Sequence, residues 1–364
     1  MKIKEITNYI EELAPLHYAE DFDNVGLLVG DYQTEITGVL VTLDTLEDTV
    51  DEAIEKKCNL IVSFHPIIFG GLKKLNGNTY VERVVLKAIK NDIAIYATHT
   101  ALDNSKNGVS AKICEVLGLK NTKILIPKKG IIKKLTTFVP TKNAEALRAS
   151  LFEAGAGNIG KYDQCSFSSE GVGTFRGTED ANPVVGSKGM LHSENEICIR
   201  VVFESKNEAQ ILRKLQEAHP YEEVAYEIVT TENIHQDIGM GMIGEFTEAM
   251  DELDFLKYLK KNMRTDCIRH SELLHKKIKK VAVLGGAGSF AVSNAKSLGA
   301  DAYVSADFKY HEFFKAEKAL LIADIGHYES EQFTKRLLVD YLTKKISNFA
   351  IVLSQKSTNP IYYI

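Results

Sequence analysis

Asn59-Leu-Ile-Val-Ser-Phe64, followed at once by His65-Pro66, is the stretch on which the reading of this chain turns. It is short and almost continuously apolar, the pattern of a strand covered on both faces. Two runs of the same kind flank it, Gly38-Val-Leu-Val-Thr-Leu-Asp44 and Ile93-Ala-Ile-Tyr-Ala-Thr98. Helix-like segments lie around 46–57, 79–91 and 108–118. Strands alternating with helices of this length imply crossover units, hence an α/β fold with a mainly parallel sheet flanked by helices.

The pattern returns near the other end of the chain. Lys280-Val-Ala-Val-Leu284, Ala302-Tyr-Val-Ser305, Ala319-Leu-Leu-Ile-Ala-Asp324 and Phe349-Ala-Ile-Val-Leu353 read as strands with helices between them. The middle differs. After Lys128-Lys-Gly-Ile-Ile-Lys-Lys134 come a strand to Pro140, a helix from Ala144 to Ala154 and a Gly/Ser-rich β region from Cys165 to Gly177. A strand (Ile197 to Phe203), a helix (Glu208 to Ala218) and a strand (Glu223 to Val229) complete it. That β-α-β-β-α-β order is ferredoxin-like. The expected organisation is a discontinuous α/β domain, residues 1–127 and 232–364, with an α+β domain, 128–231, inserted in it. Gly239-Met-Gly-Met-Ile-Gly244 reads as a tight turn back into the outer domain.

A length of 364 residues suits two or three domains. A net charge of -5 and a pI near 6.1 provide no general basic field, which argues against a nucleic-acid partner. There is no apolar run of ~18 residues for a membrane span, and the polar start Met-Lys-Ile-Lys-Glu lacks the apolar stretch of a signal peptide. The five cysteines form no CxxC, and Cys58, Cys114 and Cys198 sit in apolar surroundings as buried free thiols. A reducing cytoplasm is the expected location.

Three strands end in chemistry-bearing residues. His65 follows the second strand, His99 and Asp103 the third, and His327 and Glu331 the strand ending at Asp324. Ligands of open parallel sheets bind at the carboxyl ends of strands. His327 and Glu331, four apart, share a face if a helix begins after Gly326. Imidazole and carboxylate donors suit zinc, iron or manganese. Singly, such a residue is more often a hydrogen-bonded strand end or part of a solvated helix face; delivery of histidine by three strands is what raises the metal reading. Val283-Leu-Gly-Gly-Ala-Gly-Ser289 reads as a glycine turn with Ser289 as N-cap, able to hold a phosphate or simply to turn tightly. Ser305-Ala-Asp-Phe-Lys-Tyr-His311 could bring Asp307, Lys309 or His311 to the same crevice, or merely start a helix. Glu20-Asp-Phe-Asp23 reads as an acidic brace.

Taken together, Asp23-Asn-Val-Gly26, Ser63-Phe-His-Pro66, His99-Thr-Ala-Leu-Asp103, Gly285-Gly-Ala-Gly-Ser289, Ser305-Ala-Asp-Phe-Lys-Tyr-His311 and Asp324-Ile-Gly-His327 with Glu331 resemble the GTP cyclohydrolase 1 type 2 homologue (Nif-three-like) family, in its order and over nearly the whole chain. The resemblance implies a dinuclear metal site, up to two divalent ions per subunit, inside a toroidal homohexamer, and a PII/CutA-like fold for the insertion. By position the metal ligands are His65, Asp103, His327 and Glu331, with His99 close by. Phe64 stands where the family carries the first of two histidines before proline.

The functional expectation is a metal-dependent hydrolase for a small phosphorylated or nucleotide-like substrate, with Lys309 holding an anionic group and His311 or His99 moving protons. The alternative is a metal- or metabolite-binding regulatory protein without turnover.

Overall fold

The structure, a computed structural model, describes residues 1–364. It is a mixed α/β chain that divides into two compact units: Met1–Pro127 with Gln236–Ile364, and Lys128–His235. No helix is long and apolar enough to cross a membrane. All five cysteines are free, and Cys58, Cys114 and Cys198 are buried.

The first unit contains two sheets rather than one. In the first, strands Ala94–Ala97, Leu60–Ser63, Val39–Thr42 and Ile351–Leu353 run parallel in that order, and Gly26–Val29 adds an antiparallel edge. The second has a parallel centre of Leu321–Asp324, Ala302–Ala306 and Lys277–Ala287. Antiparallel strands extend it on both sides: Arg269–His270 on one, Gly239–Asp251 and then Lys120–Pro127 on the other. Each sheet thus takes strands from both halves of the chain, and the pairing is mixed rather than mainly parallel. The sequence reading missed the antiparallel strands: in Gly26–Val29 and Gly239–Asp251 the glycines look like turns, Lys120–Pro127 opens on polar residues and Arg269–His270 is only two residues long.

Alternation along the strands shows why they are apolar on both sides. Val39, Val41, Leu60, Val62 and Tyr96 face one core, which also receives Val281, Val283, Val304 and Ala323 from the second sheet. Their neighbours Leu40, Ile61 and Ile95 face the helices Glu47–Glu55 and Tyr80–Lys90. Ala282, Leu284, Tyr303 and Ile322 cover the far side of the second sheet beneath helix Val292–Ser297. At ~25 cal/mol per Å² of apolar surface removed from water, these buried layers fix the strand ends relative to each other.

Gly239–Asp251 corrects the expected turn. It is a 13-residue strand, and its glycines are demanded by close approach: a Cβ at Gly239 would lie 2.1 Å from the carbonyl oxygen of Ile126.

The second unit is a four-stranded antiparallel sheet ordered Phe167–Arg176, Leu191–Glu204, Ile132–Pro140, Tyr226–Thr230. Helices Ala144–Glu153 and Glu208–Ala218 cover one face through Leu147, Leu151, Ile211 and Leu215. The unit extends to His235 because Thr231 bonds the Ile132 carbonyl and His235 that of Lys128.

Candidate metal centre

Strand Leu60–Ser63 ends one residue before Phe64, which is fully buried, and its chain direction is held by Phe64 N–H to Thr42 O and His65 N–H to Leu43 O. These bonds bring His65 up at the carboxyl end of the first sheet. In the second sheet, Leu321–Asp324 runs into Gly326, whose φ of 92° turns the chain into the short helix His327–Glu331. One helical turn places His327 and Glu331 on the same face.

The two pieces converge. His65 Nε2 lies 3.1 Å from Glu331 Oε2, His327 Nε2 lies 3.2 Å from the same oxygen, and the two ring nitrogens are 3.4 Å apart. Glu331 Oε2 is buried and accepts no well-directed hydrogen bond, although two imidazoles stand beside it. A metal ion held at ~2.0–2.2 Å by nitrogen and oxygen ligands keeps those ligands about 3.0–3.5 Å apart. The triangle therefore has the size, donor chemistry and orphaned carboxylate oxygen that fit a divalent cation.

Each imidazole is set from behind. His65 Nδ1 meets Asp44 Oδ1 at 2.7 Å and His327 Nδ1 meets Asp307 Oδ2 at 2.6 Å, the carboxylate–histidine pairing that orients metal ligands. Thr358 Oγ1 donates to the other oxygen of Asp44 at 2.5 Å. Room for the acid comes from glycine. A Cβ on Gly286 would lie 2.4 Å from Glu331 Oε1, and Gly286 N–H donates to Ser330 Oγ at 2.8 Å.

Charge follows the same layout. Burial works against a charged His65 ring, but Asp44 and Glu331 outweigh it and carry the ring up to about 9. For His327, Asp307 and Glu331 overcome burial and carry it up to about 11. Burial would raise Glu331, yet the His327 and His65 rings bring it down to about 2. Burial, and then Glu331, push the Asp103 carboxyl well above the usual carboxylate range.

Of the residues expected at the site, His65, His327 and Glu331 are brought together. Asp103 is not a member of the triangle; it ends the short helix His99–Asp103, within electrostatic reach of it. His99 is adjacent, its ring 5.4 Å from that of His65, with Nδ1 held by Asp23 Oδ1 at 2.7 Å. Its φ of 25° is strained for a non-glycine residue and is fixed by that bond and by His99 N–H to Phe64 O.

Lys309 and His311 do not reach the cluster. The backbone of Lys309 is bonded by Glu312 in a capping box, and His311 is exposed, packed on Tyr310 and Phe314. Asp307 is the residue of that loop which arrives. Ser289 is not an N-cap; its hydroxyl donates to Glu312, and the glycines before it make space for Glu331 and Ser305. Sequence reasoning overlooked Asp44 and Thr358. Asp44 stands two residues beyond the strand Val39–Thr42, a strand-end acid like the others.

A family profile described as Duf34/NIF3 (NGG1p interacting factor 3) matches residues 1–360. A Bacillus subtilis (strain 168) protein named GTP cyclohydrolase 1 type 2 homolog is 36% identical over 371 residues, spanning 99% of this chain and 98% of its own. One of the same name from Staphylococcus epidermidis is 34% identical over 368 residues, all of both chains. Among solved structures, a Bacillus cereus protein related to NIF3 superposes with a TM-score of 0.82 at 37% identity, covering 100% of this chain and 99% of that one. A Staphylococcus aureus protein gives 0.81 at 31% identity, with the same coverage.

Proposed function

The chain belongs to the Duf34/NIF3 family, and on that premise we propose that it is a metal-dependent hydrolase of a small phosphorylated or nucleotide-like molecule. The observation that carries this is the triangle of His65 Nε2, His327 Nε2 and Glu331 Oε2, each imidazole braced by an aspartate. A divalent ion bound there supplies Lewis acidity, polarising a substrate oxygen and acidifying water. His65, His327 and Glu331 would hold it, and Asp103 would join as a further ligand, its carboxyl being raised first by burial and then by Glu331, both of which a nearby cation would offset. His99 takes and returns a proton at Nε2, its Nδ1 being committed to Asp23. Phe64, apolar and buried beside the His65 and His99 rings, supplies no ligand, so a single ion is the expected occupancy.

The same reading takes 128–235 as a ferredoxin-like module, supported by its element order and by the first strand lying between the third and fourth. A homohexamer has the support of the family resemblance; light scattering against six copies of 40.5 kDa tests it.

The test of the centre is elemental analysis of untagged protein beside the double variant His327→Ala, Glu331→Ala. About one ion per chain, absent from the variant, supports the centre; no ion after reconstitution with zinc, iron and manganese overturns it. Turnover of nucleotides or phosphate esters should then fall by orders of magnitude in Glu331→Gln, and full activity there would remove the hydrolase reading.

A further inference from the structure

The open face of the sheet in the 128–235 unit carries a second site, of different chemistry. Along strand Phe167–Arg176 the residues Gly171, Gly173 and Phe175 share one face, because side chains alternate. The two glycines leave that face bare. Glu196 lies directly across from Gly171 on the neighbouring strand, and Phe138 comes alongside one strand further. The result is a cavity of about 560 Å³ walled by Phe138, Phe175, Pro183 and Val184, with Arg176, Glu196, Tyr221, Glu222 and Glu223 among its polar groups.

Glu196 is only 9% exposed. Its Oε1 accepts a hydrogen bond from the Tyr221 hydroxyl at 2.8 Å, while Oε2 has no partner. The carboxylate lies over Gly173, where a Cβ would stand 2.2 Å from Oε2, so the glycine makes room for the acid. Glu196 forms no ion pair. Arg176 also lines the cavity, but it is an odd number of residues from Gly173, so its side chain starts from the opposite face of the strand, and it is not paired with Glu196. His219 donates from Nε2 to Phe138 O and accepts Tyr221 N–H at Nδ1, which fixes the neutral tautomer; burial holds it below its ordinary value. Glu222 and Glu223 at the rim add negative charge. A mostly buried carboxylate with one oxygen unpaired and no ion pair is suited to a cation that also donates hydrogen bonds.

We propose that this cavity binds an organic cation, a primary ammonium carried on an apolar body. The ammonium donates to Glu196 Oε2 and to the Tyr221 oxygen, whose own proton is directed at Glu196. The apolar part packs on Phe138, Phe175, Pro183 and Val184. Pockets of this volume and composition accommodate small organic ligands.

The experiment is calorimetric titration of the full-length protein with butylammonium, 2-phenylethylammonium and tryptamine hydrochloride, each beside its alcohol analogue. At least one ammonium should bind saturably, its alcohol about 10-fold or more weaker, as expected for a charged hydrogen bond. Glu196→Gln, of equal size, should lose about 10-fold or more of that affinity, with thermal midpoint and bound-metal content unchanged. Tyr221→Phe should weaken binding less, and it serves as the second variant if Glu196→Gln does not fold. No saturation by any of the three at millimolar concentration, equal binding of ammonium and alcohol, or retained affinity in Glu196→Gln overturns the proposal.

Discussion

At the scale of single residues, the three imidazoles near the centre share one device: each has Nδ1 on an aspartate, so each presents only Nε2 forward. Asp44→Ala frees His65 to rotate, and the expected loss is about 10–100-fold in metal affinity with little change in fold, read by competition with a chelating dye. Because the metal-free rings of His65 and His327 hold protons above the ordinary imidazole value, ion uptake at pH 7 should release protons, and affinity should weaken as pH is lowered. Calorimetry in two buffers of different ionisation enthalpy measures the release; its absence would mean that these rings are not ligands. The same shifts stabilise the metal-free fold below the ordinary value, and for His65 that contribution is lost as pH rises through about 9. Asp23 has the opposite sign. Burial alone would raise it, but His99 and Thr100 carry it down to about 2. Its stabilisation is present above the ordinary aspartate value and lost as pH falls toward 2. Asp23→Asn should cost roughly 2–3 kcal/mol at pH 7 and nothing at strongly acid pH, as urea titrations at the two pH values would show. His65, His327 and Glu331 were legible as strand-end or i,i+4 residues. Asp44 was not, because an acid just after a strand reads equally as a turn-former, and only tertiary contact gives it His65 as a partner.

At the scale of elements, short apolar runs were readable because each strand is buried on both faces. Helices Glu47–Glu55 and Tyr80–Lys90 were readable because one face of each is apolar. One feature was legible only as a condition and one was hidden. The helix His327–Glu331 is five residues long and cannot sustain itself; Gly326 and the packing of Ser330 on Gly286 impose it. The C-terminal stretch from Ser354 has no periodicity, yet it is pinned by side-chain bonds: Ser354 to Glu52, Thr358 to Asp44 and Asn359 to Glu329. It therefore belongs to the centre. Ending the chain after Lys356 should lower metal affinity several-fold through Asp44, and Thr358→Val alone should reproduce most of that loss. Unchanged affinity in both would show that Asp44 is held without the tail.

For the whole molecule, the insertion point is structurally simple. Gly239 pairs with Pro127 across two antiparallel strands, so residues 128–235 occupy the place of a hairpin turn. Replacing them by a short turn should leave a folded outer unit that binds metal within about 3-fold of the full chain, while abolishing ammonium binding. Loss of cooperative unfolding in that variant would show that the outer unit depends on the insertion. The strands and two helices of this region were legible because they are built from local patterns. The presence of two sheets in the outer unit was not, since strand partners hundreds of residues apart leave no local mark.

His65 and His327 touch across a separation of 262 residues. A ribosome therefore releases the first ligand long before the last exists, at a synthesis rate of roughly 5–20 residues per second. No nascent fragment ending short of Glu331 can close the trap. On the proposed metal reading, retention of an ion therefore reports that synthesis has passed Glu331, the last of the three donors in the chain.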